Sequence, residues 1–577
     1  MSRKKNTDTY SDASSDKSSR PKPTDIDRVQ GFERQVKRYH RVPCKFTAAT
    51  ERDAAALPAE VTADDMRGRE DMRDIPFVTI DGADARDFDD AIHVERTGER
   101  QWLLRVAIAD VSHYVSPDTT KALDAEALVR GNSQYFPLSV EPMLPEALSN
   151  GLCSLVPWQD RLAVVAEFSI SADAPPGKPR FALAVIHSHA RLTYDQVKAC
   201  MLDRNPAQLE EMTSRPSGMA VAGMLEEAFN VFRVLQEARS ARGSMDFDHG
   251  EPVFQVKKDG EGFSYATRQR HDAHRLIEEC MIAANEAVAR HLEASGAPCI
   301  YRVHPEPEPE RLKELFDTLK YGSLSVSNKL PSKPTLAGIL ALAKGAHDED
   351  IVARCCLRAM PKAYYDVRNI GHYGLASESY CHFTSPIRRY ADLAVHRALR
   401  QSMGWPIPKK LDFGKFANVA NIVNVREIVS VDAEREMGKM LGCLVLSRLE
   451  GRTVTATVTG LAEFGLFMAI DGIPEMEGLL HVSKLPSNVS PKAQRDQEAY
   501  DRWRDGDFDD YDDFYDDYSR YGRRHSYQRN YVEPWMLGVR GRVKIEYVDI
   551  HAQRVSLIPD GSFKGALTQA ANNAIKA

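Results

Sequence analysis

"TIDGADARDFDDAI", residues 79–92, places five aspartates in fourteen positions at the end of the apolar run "IPFVTI". The run reads as a buried strand that ends at Asp81, and Asp87, Asp89 and Asp90 return on the loop leading into the next strand-like segment, "AIHVE". Close carboxylates repel strongly wherever water is partly excluded, so such a cluster persists only in open solvent or beside a neutralising cation. Hard oxygen donors of this kind suit Mg²⁺, which binds through a few carboxylates and fills its shell with water and phosphate oxygens. A solvated acidic turn is the plainer alternative. A calcium loop is not, because its D-x-[DN]-x-[DN]-G order with a following Glu is absent.

Outward from this stretch, "WLLRVAIADVSHYV" continues the strand pattern, whereas "HRLIEECMIAANEAVARHL" (274–292) switches to helical period. There Leu276, Cys280, Ala284 and Val288 recur every four residues, and Ile277 with Met281 widens the stripe. The expected fold is α+β: a mixed α/β domain over 71–450, then short strands with Gly-containing turns over 451–560 that suggest a small closed barrel. Residues 1–70 are expected to be disordered or weakly structured, the first thirty being Ser, Lys, Asp and Pro with little to bury, and 561–577 to be a tail.

The chain of 577 residues is 43% hydrophobic, contains no uninterrupted apolar run of about 18 residues, and lacks the apolar stretch of a signal peptide at its N-terminus. Its nine cysteines are scattered without a CxxC pair, against both a disulfide framework and a zinc site. A cytoplasmic protein with no membrane partner is expected. The net charge of −7 sits in one place, since residues 501–517 carry nine Asp and two Arg. The global sign therefore says nothing about a nucleic-acid partner.

A second motif stands 300 residues on: "HFTSPIRRYADLAVHRALR", 382–400. Thr384 or Ser385 is expected to cap a helix with Pro386 in its first turn, and Ile387, Tyr390, Ala394 and Ala398 to face the core. Arg388 and Arg389 then fall in the first turn, where the helix dipole disfavours cations. Two arginines beside free backbone N–H groups suit a phosphodiester. The alternative is that Asp392 simply pairs with them.

Together "TIDGADARDFDDAI", "RVAIADVSHYV", "RGNSQYFP", "MLPEALSNGLCSL", "IEECMIAANEAVA", "YRVH" and "HFTSPIRRYADLAVHR" resemble, in order, the catalytic (RNB) domain of the ribonuclease II and ribonuclease R family. The resemblance implies processive 3′→5′ hydrolysis of single-stranded RNA to nucleoside 5′-monophosphates with Mg²⁺, or Mn²⁺ in its place. Asp81, Asp87, Asp89 and Asp90 match the family's metal-holding aspartates, Asp89 being the one held indispensable for cleavage. Arg388 matches the arginine beside the scissile phosphate, and Arg389 next to it is carried as an RNA contact. Tyr135 matches the aromatic that stacks on the terminal bases, and Glu434 in "DAERE" an acidic residue near the 3′ end. Asp84 has no assigned role.

"EFGLFMAI" followed by "EGLLHVSKL" is similar to S1-type OB domains, whose exposed aromatics and histidine match Phe464, Phe467 and His481. Such a platform stacks on single-stranded bases; a core position is the alternative for either Phe. Two departures from the family stand out: the 70 residues before the catalytic motifs cannot hold two cold-shock-type OB domains, and the C-terminal tail is short and weakly charged. RNA capture is then expected to rely on the barrel and the channel mouth. The acidic insertion 487–530 reads as a solvated loop or, alternatively, as a strand mimic that competes with RNA for the barrel. From other classes, a non-catalytic RNA-binding regulator of the same fold and an endonuclease are the rival readings.

Overall fold

Phe77, Val78, Thr79 and Ile80 are all buried, because the strand they form, β1 (Phe77–Asp81), lies inside a sheet covered on both faces. The computed structural model describes residues 23–174, 177–247, 250–258, 260–332, 334–406, 413–462, 464–485 and 533–576. The acidic insertion lies outside the described residues. After β1 come β2 (Asp90–Gly98), β3 (Gln101–Ala109), β4 (Arg161–Ser171), β5 (Arg180–Ile186) and β6 (Ser188–Thr193). With the two-residue strand Glu70–Asp71 they form a seven-stranded sheet in the order Glu70–Asp71, β5, β4, β3, β2, β1, β6. The pairings are antiparallel except at the two ends, where Glu70–Asp71 joins β5 and β1 joins β6 in parallel. The helix Gly218–Ala241 packs on β2 and on Asp272–Ala294, whose Leu276, Cys280, Ala284 and Val288 are fully buried as their period predicts.

The fold is thus α+β, and near the C-terminus it closes a five-stranded barrel from Thr453–Ala462, Gly465–Ile470, Glu477–His481, Arg554–Pro559 and Arg540–Asp549. Two segments differ from expectation. Before residue 71 the described residues hold three helices, Asp25–Tyr39, Ala48–Ala55 and Ala63–Met66. In the first, Val29, Phe32 and Val36 recur every three or four residues and are buried with Met437, Met440, Leu441 and Leu444 of the long helix Phe413–Ser447. A capping box between Thr24 and Asp27 starts it. The expectation leaned on the polar first thirty residues, whereas most of this stripe lies just beyond them. The segment read as a tail is likewise a helix, Gly561–Lys576, with Phe563 and Leu567 in the barrel core. No described helix is long and apolar enough to cross a membrane.

Candidate active site

β1 ends at Asp81 and β2 starts at Asp90, so the two carboxylates leave neighbouring strand ends and residues 82–89 form the connecting loop. This loop is tied down along its length. Arg191, on β6, donates from Nη2 to the carbonyls of Gly82 and Ala83 at 2.6 and 2.9 Å. The Ser154 hydroxyl donates to the Arg86 carbonyl at 2.8 Å and accepts from the Phe88 N–H at 2.9 Å. The Leu155 N–H reaches the Phe88 carbonyl at 3.0 Å, and the Ala109 N–H the Asp89 carbonyl at 2.9 Å. The Asp89 side chain, 3% exposed, accepts from the Ile387 N–H through Oδ1 at 2.7 Å, and Arg388 Nε stands 3.4 Å from its Oδ2. Two motifs 298 residues apart therefore meet at one carboxylate.

The segment that brings Ile387 and Arg388 there is a loop. The helix begins at Tyr390 and ends at Ser402, not at Pro386 as the capping pattern suggested. Arg389 has extended backbone (φ −136°) and bridges antiparallel to Asn132, while the Ser133 N–H donates to the Arg388 carbonyl at 2.9 Å. These pairings interrupt the turn, so both arginines precede the helix and the anticipated conflict with its dipole does not arise. Asp392, fully buried, takes Arg389 as a two-point partner at 2.8 and 2.7 Å and accepts from the Ser385 N–H at 2.7 Å. Pairing with Asp392 thus holds for Arg389 and not for Arg388, whose guanidinium donates to Ser385 Oγ at 3.1 Å and is nearly half exposed. Tyr135, 44% exposed, donates its hydroxyl to Asp87 Oδ2 at 2.7 Å.

Burial is the largest influence on these carboxyls. It raises Asp81, and the nearby charges of Asp90 and Asp87 raise it further against Arg191 and Arg388. Asp89 is pushed well above the usual range by burial, despite Arg388 and the Ile387 N–H. Asp90 is also raised by burial, opposed by Arg388 and Arg389. Asp81 Oδ2 and Asp89 Oδ2 are buried and accept no hydrogen bond among the described residues. Those two unpartnered buried oxygens are hard donors of the kind a divalent cation takes, although among the described residues no three His, Cys, Asp or Glu side chains stand at metal-holding spacing. A cation here would draw the rest of its shell from water and a phosphate oxygen.

The remaining expected contacts are placed elsewhere. Glu434 is exposed on the helix Phe413–Ser447, where burial, Glu475 and Glu434 together raise the Tyr265 hydroxyl. The exposed Phe/Phe/His platform of the barrel is corrected: Phe467 is 8% exposed and His481 1%, with Phe464 half-buried beside Ala462, Phe467 and Leu479. The helix Glu349–Ala359 lies against the same sheet: from it Arg354 reaches Glu477 at 2.8 Å and Arg358 donates to the Thr459 carbonyl at 2.8 Å. Sequence reasoning assigned no part to Ser154, Arg191 or the Ile387 N–H. They act through backbone groups, which leave no side-chain pattern to find.

The family model for the RNB domain matches residues 69–404. Ribonuclease R of Vibrio parahaemolyticus is 38% identical over 471 residues, covering 79% of this chain and 55% of that protein. Ribonuclease R of Escherichia coli K12 is 38% identical over 469 residues, covering 78% and 56%. The chain thus spans little more than half the length of these curated relatives. Mycoplasma genitalium RNase R, solved in complex with ribose methylated single-stranded RNA, superposes with a TM-score of 0.75 at 27% identity, covering 93% of this chain and 78% of that one.

Proposed function

The chain belongs to the RNB-domain family, and from that premise and the buried carboxylates at the ends of β1 and β2 we propose that it is a metal-dependent, processive 3′→5′ exoribonuclease that hydrolyses single-stranded RNA to nucleoside 5′-monophosphates. The observation that carries this reading is the seam at Asp89, whose buried Oδ2 accepts no hydrogen bond and stands 3.4 Å from Nε of an arginine nearly half open to solvent. That pairing offers a cation site and a phosphate site side by side. That Mycoplasma genitalium RNase R was solved in complex with ribose methylated single-stranded RNA supports RNA as the substrate.

In this reading Asp81, Asp87, Asp89 and Asp90 hold Mg²⁺ or Mn²⁺. When bound, the metal neutralises charge on the phosphate and makes a water more acidic. The chain's own residues supply the rest. The Ile387 N–H fixes one oxygen of Asp89, and the other faces Arg388 Nε without a hydrogen bond. The Arg388 guanidinium faces the negative charge that builds on the phosphate oxygens as water attacks phosphorus and the 3′ oxygen of the shortened strand departs. Arg389 stays bound to Asp392 and holds the loop, so its part in RNA contact is indirect. Tyr135 offers an open ring face to the terminal bases while its hydroxyl is held by Asp87.

The test is a time course on 5′- and 3′-labelled RNA and on circular RNA, with Mg²⁺ or Mn²⁺. A 3′ label should appear at once as mononucleotide, a 5′ label should persist to a short end product, and circles should survive. Cleavage of circles would make the protein an endonuclease. RNA binding without hydrolysis would make it the non-catalytic regulator.

A further inference from the structure

The carboxylate loop is gripped from both sides by residues that never enter the pocket, and resting on the metal site proposed above, we infer that Ser154 and Arg191 are positioning residues for cation binding. Ser154 is fully buried, and its one hydroxyl serves the two peptide groups that flank Asp87: it donates to the Arg86 carbonyl and accepts from the Phe88 N–H. The peptide planes on either side of a ligand residue set the direction of its Cα–Cβ bond, so this staple aims Asp87. Ser154 is itself held, because the buried Arg161 donates from Nε to its carbonyl at 2.8 Å.

Arg191 does the corresponding work at the start of the loop. It projects from β6, the strand that pairs in parallel with β1, with Arg191 opposite Thr79 and Thr193 opposite Asp81. Its guanidinium donates to the carbonyls of Gly82 and Ala83 and lies over the Phe88 ring, 5.5 Å from the centroid. One side chain thereby joins the beginning of the loop to its end. Its charge also opposes the rise of the Asp81 carboxyl. Outer residues that orient metal ligands commonly alter metal affinity by about 10–100-fold when removed. Here the orientation acts on the ligand backbone, which no substitution at the aspartates would reveal.

The test uses full-length Ser154→Ala and Arg191→Met with three readouts: Mn²⁺ affinity by electron paramagnetic resonance, amide hydrogen exchange of residues 82–89 without metal, and thermal melting. Each variant should bind Mn²⁺ at least about tenfold more weakly. Loop exchange should quicken more than exchange elsewhere, with at most a modest fall in the melting midpoint from the unpaired Arg86 carbonyl and Phe88 N–H, while affinity for single-stranded RNA without metal stays as in wild type. At saturating Mn²⁺ the lost turnover should return, which a general loss of structure would not allow. Wild-type Mn²⁺ affinity and loop exchange in a variant that melts normally would overturn the inference. If Ser154→Ala does not fold, Arg191→Met decides by the same readouts. The metal-free exchange keeps this separate from the enzymatic reading: slow cleavage by the wild type would sink the function, and unchanged loop exchange in the variants would sink the positioning role.

Discussion

At the residue scale Asp89 separates charge from shape. In Asp89→Asn the amide oxygen still accepts from the Ile387 N–H, so the fold should hold while the negative charge beside Arg388 is lost. Hydrolysis should fall well beyond tenfold, a factor worth only about 1.4 kcal/mol, with RNA affinity little changed. Paired cleavage and binding assays check both parts. Tyr135→Ala should lengthen the end product and Tyr135→Phe preserve it, because stacking belongs to the ring; equal product lengths in all three proteins would assign Tyr135 to packing alone. Asp110 is a different kind of carboxylate. Burial by itself would raise it, but Arg400 and Arg69 outweigh burial and hold it well below the ordinary range. Arg69 donates at 2.7 Å, and Arg400 is its second partner. Its stabilisation is therefore complete above the unfolded carboxyl's pKa of about 3.9 and is lost as pH falls through the lower folded value. Asp110→Asn, which leaves two buried guanidiniums without their counter-charge, should cost about 3–5 kcal/mol at pH 7. The gap between the two melting curves should narrow at strongly acidic pH. The aspartates and Arg388 could be read as candidates because their chemistry is in their side chains. The Ile387 N–H could not, since any residue but proline supplies one.

At the element scale, hydrophobic period located helices well and their first residues poorly. The stripe Ile387, Tyr390, Ala394 and Ala398 is buried as read, yet the helix starts at Tyr390 because Arg389 is drawn into a bridge with Asn132, a partner more than 250 residues away. No local signal carries such a contact. The barrel presents the same limit. Its strands were legible from alternation and glycine turns, but the burial of Phe467 comes from Ala462, Phe464 and Leu479 packed against it, which alternation alone does not show. Phe467→Ala should therefore act as a core truncation, costing about 3–5 kcal/mol of barrel stability rather than a stacking contact. Hydrolysis of very short oligomers should be unaffected, and melting should report the loss. A folded variant that melts like wild type but captures long RNA weakly would restore the exposed-platform role.

At the scale of the whole molecule, distant segments are bound to one another through the helix Phe413–Ser447. Its Met437, Met440, Leu441 and Leu444 cover Val29, Phe32 and Val36 from the N-terminal helix, while Cys443 and Leu446 enter the barrel core. Removing residues 1–42 should uncover that face and lower the melting midpoint, since each such side chain contributes about 1.5–3 kcal/mol on burial. Dye binding to exposed apolar surface would register the change. The meeting of Asp89 with Ile387 and Arg388 has a consequence in time. A ribosome that has just completed the aspartate loop must add 298 more residues before Ile387 exists. At about 5–20 residues per second that interval lasts roughly 15–60 s. Throughout it the nascent chain displays aspartates without the arginine or the amide that organise them, so a protein proposed to destroy RNA cannot assemble its cutting centre until most of its own message has been read.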